Sequence, residues 1–208
     1  MTYGLVISSY KYGHLAAHCI ESVLCQRDKY DKVWFVDDGV GDCKHLAKLY
    51  PSIEFVFREE NMGVVANFDD MLNRVDTDYV MFLGADNWLR ADTLESLKEK
   101  SYDIDIVTYD IVVTGELRDQ IWKSYSFACQ DYQGDYYWSR EKQHHGSMLY
   151  RTELAKSVGG YAHNLTSGRT DEDQNLWDKM IKQSARVSHV PKGLLFYRRH
   201  KENFFKYE

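Results

Sequence analysis

A regular alternation fills the first hundred residues of this 208-residue chain: short apolar runs, each closed by polar residues, separated by helix-patterned segments. Leu5-Val6-Ile7 closes on Ser8-Ser9-Tyr10, and Val33-Trp34-Phe35-Val36 closes on Asp37-Asp38-Gly39. Ile53–Phe57 forms a third run, and Tyr79–Leu83 closes on Gly84-Ala85-Asp86-Asn87. Runs that are apolar throughout suit strands buried on both faces. Leu15, Cys19, Ile20, Val23 and Leu24 recur at helical spacing, as do Val64, Val65, Phe68, Met71, Leu72 and Val75. A short helix around Cys43–Leu49 stops at Pro51, and another is expected over Ala91–Lys98, with Asp92 at its positive end. Strands alternating with helices predict an α/β fold, a mainly parallel central sheet with helices on both faces. Ligands bind such sheets beyond the carboxyl ends of the strands, where the polar clusters fall.

The pattern changes after about residue 103. Ile104–Thr114 and Ile121–Phe127 read as longer strands of antiparallel type, followed by a polar, aromatic stretch holding Tyr132, Tyr136, Tyr137 and Trp138. Gly146–Tyr150 reads as a strand, Thr152–Val158 as a helix, and a further helix starts near Asp171. The last strand is expected over Val187–Tyr197. With no linker in sight, the expectation is one domain over 1–208, a nucleotide-type half (1–102) and an elaborated half (103–208).

A chain of this length buries roughly 70% of its unfolded surface, so its core needs no disulfide or metal. Lys+Arg number 26 against 32 Asp+Glu, a formal net charge of -6. This excludes a general nucleic-acid binder, which must displace counterions from phosphate. No apolar stretch nears the ~20 residues of a membrane span. Met1-Thr2-Tyr3-Gly4 carries no basic leader, so a cytoplasmic location is expected. Cys19, Cys25, Cys43 and Cys129 show no CxxC spacing and read as reduced, structural thiols.

Taken in order, these fragments resemble GT-A fold glycosyltransferases of family 2. The segment from Leu5 to Tyr10, with Ile20–Gln26, is similar to their opening, and Val36-Asp37-Asp38-Gly39 to their acidic turn after strand two. Asn61-Met62-Gly63 with Ala66-Asn67 resembles their N-x-G entry to a helix. Tyr79–Asn87 resembles the strand end bearing the metal-binding DxD. Gly159-Gly160-Tyr161, Thr170–Trp177 and Tyr197-Arg198-Arg199-His200 resemble the later G-G-[YF], E-D-x-x-L-W and Y-R-x-H segments.

The resemblance implies a metal-dependent, inverting hexosyltransferase of polysaccharide biosynthesis, using a nucleotide-sugar donor of the UDP type and a glycan or other hydroxyl acceptor. A departing diphosphate needs a cation, and Mn²⁺ or Mg²⁺ takes oxygen ligands. Asp86 is implied as the metal ligand and His200 as a second one. The first aspartate of the motif is Gly84 here, leaving Asp86 to carry the metal alone or with Asn87. The donor would be lined by Ser9, Tyr10, Asp38, Asn67, Ala85 and Asp86, with the Asp38 carboxylate accepting the uracil imide N–H. Asp37 would brace its loop. Relatives often carry Arg before the Asn; Ala66 stands there in this chain. Asp173 is implied as the base that takes the acceptor proton, with Glu172 positioning the acceptor.

Plainer readings stand beside these. Asp86 can be a turn or N-cap acid, Asn67 a helix-surface residue, and Asp171-Glu172-Asp173 a run of acids complementing a helix dipole, any of which could be the base. His200 can be a surface residue beside Arg198, Arg199 and Lys201, which could neutralise the diphosphate or form a lid. His144-His145 lacks a third ligand for zinc by spacing. A non-catalytic nucleotide-sugar or carbohydrate-binding module is the alternative function, and a sugar nucleotidyltransferase, which would open on a Gly-rich phosphate loop, ranks below it.

Overall fold

Every apolar run of the first half is a strand. The computed structural model describes residues 1–115, 120–122, 146–162 and 172–203. The elements are β1 (Tyr3–Ser9), α1 (Gly13–Leu24), β2 (Lys32–Asp37), α2 (Leu46–Leu49), β3 (Glu54–Phe57), α3 (Val64–Arg74), β4 (Tyr79–Gly84), β5 (Trp88–Leu89), α4 (Thr93–Ser101), β6 (Ile106–Gly115), β7 (Gln120–Trp122), β8 (Leu149–Arg151), α5 (Thr152–Ser157), α6 (Glu172–Lys182) and β9 (Val187–Arg199). They build one sheet of order β3-β2-β1-β4-β8-β6-β9-β5, with β7 paired to β6. β3, β2, β1 and β4 are parallel neighbours.

The strands are apolar throughout because alternate residues enter two different cores. Leu5, Ile7, Phe35, Met81 and Leu83 pack against Ala16, Cys19, Ile20 and Val23 of α1 and Leu94 and Leu97 of α4. Val6, Trp34, Val36, Val80 and Phe82 face the other way, onto Met71 and Leu72 of α3 and Leu176, Trp177 and Met180 of α6. At about 1.5–3 kcal/mol per large apolar side chain buried, these layers dominate the stability of the sheet. Cys19, Cys25 and Cys43 form no disulfide. Among the described residues no helix is long and apolar enough to cross a membrane.

The strand pairing departs from the sequence reading. β6 pairs antiparallel with β7 and β8, as its pattern suggested, but runs parallel to β9 over most of its length. β5, only two residues long, pairs antiparallel with the end of β9, Trp88 opposite Phe196 and Leu89 opposite Leu195. This pairing brings the segment after β9 back to the loop after β4. β9 itself runs two residues past Tyr197. The remainder of the strand read over Ile121–Phe127, the aromatic stretch Tyr132–Trp138 and His144-His145 lie outside the described residues.

Register aligns the strand ends. Ser9 sits opposite Asp37 and Ser8 opposite Gly84, so the polar clusters share one level along one edge. Gly39 turns the chain there with φ +83°, and a Cβ on it would stand 2.3 Å from the Asn61 nitrogen. Gly39→Ala is therefore expected to cost about 1–3 kcal/mol, read as a lower urea midpoint at unchanged slope.

Candidate active site

The acidic pair after β2 divides its labour. Asp37 accepts N–H bonds from Val40 and Gly41 on Oδ1, both at 3.0 Å, and from Cys43 on Oδ2 at 3.1 Å. Its carboxylate thus braces the loop. Asp37, Asp42 and Cys43 bring their ligand atoms within 4.8 Å of one another, but both Asp37 oxygens are spent on backbone, as is an Asp42 oxygen on the Gly13 N–H at 2.9 Å. Asp38 faces the other way. Its Oδ1 accepts the Met62 N–H at 3.0 Å and lies 3.7 Å from Nε of Arg58. Burial raises the Asp38 carboxyl, and the Met62 N–H and the Arg58 charge oppose that rise.

The turn before α3 explains the N-x-G motif. Asn61 Oδ1 accepts the Gly63 N–H at 2.6 Å, and Gly63 takes φ +78° to start the helix. Four residues on, Asn67 is buried and not on the helix surface. Its amide donates to the Ser8 hydroxyl at 3.1 Å and accepts from Nε of Arg58 at 2.9 Å. The Ser9 hydroxyl is wholly buried and turned to the Cys43 thiol at 3.4 Å. β1 points this side chain into the core beside α2, which leaves the backbone of Ser9 as the part that can line a donor. Tyr10, one residue on, is 42% exposed. Hydrogen bonding to Asn61, and then the neighbouring Lys11, lower its phenol.

At the end of β4, Ala85 is buried and donates its N–H to Ser8 O at 2.9 Å. Asp86 follows, 6% exposed. Oδ1 accepts from the Asn87 amide at 2.9 Å, and Oδ2 faces both Nε2 of His200 and the Asn203 amide at 3.1 Å. Burial raises the Asp86 carboxyl, and the contact with His200 opposes that rise. Asp86 is therefore no N-cap acid: α4 begins at Thr93, and Asp92 at its start pairs with Arg90 at 2.7 Å. The Oδ1 of Asn87, the residue that could help Asp86, accepts the Arg198 N–H at 2.9 Å. Gly84 makes room for this fold-back. A Cβ there would lie 2.8 Å from Asp86 Oδ1 and 3.0 Å from the Asn87 amide.

The segment after β9 closes over Asp86. His200 is largely buried, meets the Tyr12 ring edge-on, and donates its backbone N–H to Asn203 Oδ1 at 2.7 Å. Tyr12 reaches the Glu202 carbonyl at 3.1 Å. The Arg198 guanidinium stacks on Trp88, donates to the Asp86 carbonyl at 2.9 Å and contacts His18. It is committed to bracing the loop, not offered to a diphosphate. His200 Nε2 and Asp86 Oδ2, 114 residues apart in sequence, meet at a hydrogen-bonding distance of 3.1 Å. A carboxylate oxygen with an imidazole suits Mn²⁺. The donor set fits the implied metal.

Asp173 lies in the first turn of α6. Its carboxyl is enclosed: Oδ1 is buried with no hydrogen-bond partner among the described residues, and burial raises the group to about 7. It packs on Gly146, where a Cβ would come within 2.0 Å of Oδ2. β8 is antiparallel to β4 with Leu149 opposite Met81, and Gly146 lies three residues before Leu149. The Gly159-Gly160-Tyr161 turn is tied to α3, with Asp69 Oδ1 accepting the Tyr161 and Ala162 N–H groups at 3.0 and 2.8 Å. Asp171 and the Glu172 side chain lie outside the described residues.

Two residues that sequence reasoning passed over hold these groups, Arg58 and Asn203. Nothing local marks either: one follows a short strand, the other closes a charged tail.

The family model described as Glycosyl transferase family 2 matches residues 5–166. The chain belongs to this family. The family 2 chain is 28% identical over 109 residues to the glycosyltransferase GlyA of Streptococcus pneumoniae serotype 4 (strain ATCC BAA-334 / TIGR4), covering 49% of this chain and 16% of GlyA. Its fold is similar to that of residues 1–349 of TarS from S. aureus, with a TM-score of 0.76 at 16% identity, over 95% of this chain and 60% of that one. The same TarS fragment in complex with UDP-GlcNAc gives a TM-score of 0.75 at 14% identity, over 98% and 60%. The mannosyltransferase PcManGT from Pyrobaculum calidifontis, in complex with GDP-Man and Mn²⁺, gives 0.67 at 14% identity, over 97% and 58%. The chain thus spans about a sixth of GlyA's length and about three fifths of the two structural relatives. Its architecture, a mostly parallel sheet flanked by helices with a few antiparallel strands, is the GT-A fold.

Proposed function

We propose that this chain is a metal-dependent, inverting glycosyltransferase that moves a sugar from a UDP-sugar to a hydroxyl of a glycan acceptor. The observation that carries this reading is the convergence of His200 on Asp86 at the end of β4, a donor pair suited to a divalent cation. UDP-GlcNAc in the TarS complex and Mn²⁺ with GDP-Man in the mannosyltransferase complex support it.

Asp86 and His200 would hold Mn²⁺ or Mg²⁺, which when bound supplies positive charge to the departing diphosphate. The Asp38 carboxylate accepts the imide N–H of uracil, and the exposed Tyr10 ring offers the base a stacking face. Asn67 acts from behind, holding Ser8 and Arg58. Asp173 takes the proton of the acceptor hydroxyl as it attacks the anomeric carbon, and a carboxyl raised to about 7 suits a base at neutral pH. Glu172, beside it, would position the acceptor.

A panel of UDP-, GDP- and CDP-sugars, with Mn²⁺ and with EDTA, tests the reading through nucleotide release and product anomeric configuration by NMR. Release of UDP that needs the metal, with inverted product, is expected. Donor binding without turnover on any acceptor would favour a binding module, and retained configuration would remove Asp173 as a simple base.

A further inference from the structure

Arg58 follows β3 and is rooted by its own N–H on the Asp37 carbonyl at 3.0 Å. Its side chain is 10% exposed. Nε donates to Asn67 Oδ1 at 2.9 Å, and Nη2 to Asp70 Oδ2 at 2.7 Å. The same Nε stands 3.7 Å from Asp38 Oδ1, the one ion pair Asp38 makes among the described residues. Asp70 is shared with Arg74 at 2.8 Å. One guanidinium thus touches both residues assigned to the base and ribose end of the donor, and does so from inside the protein. A guanidinium carries a full positive charge.

We propose that Arg58 is a specificity-determining positioning residue: it aims Asp38 and Asn67 and keeps Asp38 a hydrogen-bond acceptor. The site then takes a base whose ring nitrogen bears a hydrogen, as in uracil, and turns away one whose ring nitrogen is bare, as in cytosine. The inference rests on the uridine-donor reading above. Burial raises the Asp38 carboxyl; the Met62 N–H, then the Arg58 charge and the Gly63 N–H, oppose that rise, and Arg58 is the one side chain among them. The other titratable groups facing Asp38 are Asp37 beside it on β2 and the Tyr10 phenol from the end of β1, neither of which supplies a cation. With Arg58 gone, Asp38 holds its proton to higher pH. A protonated carboxyl donates, which suits the bare N3 of cytosine and leaves the uracil N–H unmet.

The test is calorimetric titration of UDP and of CDP, with Mn²⁺, into the wild type, Arg58→Gln and Arg58→Lys at pH 5.5, 6.5 and 7.5, with folding checked by circular dichroism. The wild type is expected to prefer UDP at all three values. In Arg58→Gln the UDP-over-CDP ratio is expected to fall on the order of tenfold between pH 7.5 and 5.5, the net worth of one hydrogen bond. Arg58→Lys keeps the charge but not the fork, so its ratio stays flat while both affinities weaken. A flat ratio in folded Arg58→Gln overturns the proposal. If that variant does not fold, Arg58→Lys decides, and UDP binding as tight as wild type overturns it. A wild type that binds UDP no better than CDP sinks the uridine-donor reading instead.

Discussion

Asp173→Asn is expected to lower kcat about 10²–10⁴-fold while leaving the Kd for the nucleotide-sugar within about twofold. The split follows from placement. Asp173 sits on α6, packed on Gly146, and among the described residues no hydrogen bond links its Oδ1 to the residues assigned to the donor. The amide keeps the shape and the packing but cannot take a proton. The pH profile gives the second readout. Burial raises this carboxyl to about 7, so it is protonated below that value and ionised above it. The wild-type rate should therefore rise with pH through about 7 and level off. The residual rate of Asp173→Asn should lose that limb. An unchanged kcat, or a profile that persists in the variant, would move the base to Asp171 or Glu172.

Strand ends were readable because a strand buried on both faces leaves a continuous apolar run, and the first polar residue after it must sit at the sheet edge. Leu5–Ile7, Val33–Val36 and Tyr79–Leu83 all obey this, which is why Asp37, Asp38 and Asp86 could be placed from sequence. β5 was not readable, since two residues show no period. Nor was the parallel pairing of β6 with β9, because the pairing partner lies some eighty residues away and pattern reports only burial. Asn67 and Ser9 show a finer limit: position in a motif does not tell how deep a side chain goes. Asn67 faces inward because α3 turns that face to β1, and Ser9 because odd positions of β1 enter the α1 core. Arg58 and Asn203 depend wholly on tertiary contact, and a charged residue in a loop carries no mark of what it will meet.

The largest effect is expected at the Asp86 cluster, and it separates ligand from support. Asp86→Ala should abolish Mn²⁺ binding, measured by calorimetry or by electron paramagnetic resonance of the free ion, and with it metal-dependent binding of UDP. His200→Ala removes the second donor and should weaken Mn²⁺ strongly while leaving metal-free UDP binding at Asp38 unchanged. Asn203→Ala touches no metal, yet its amide holds Asp86 Oδ2 and the Arg198 carbonyl while its oxygen holds the His200 N–H. Loss of such an outer partner costs about 10–100-fold in metal affinity. Gly84→Asp restores the missing acid of the motif but drives a side chain into the Asp86–Asn87 pair, so it should weaken the site rather than strengthen it. Tighter Mn²⁺ binding in Gly84→Asp, or unaltered binding in Asp86→Ala, would show that the cation is held elsewhere on this edge.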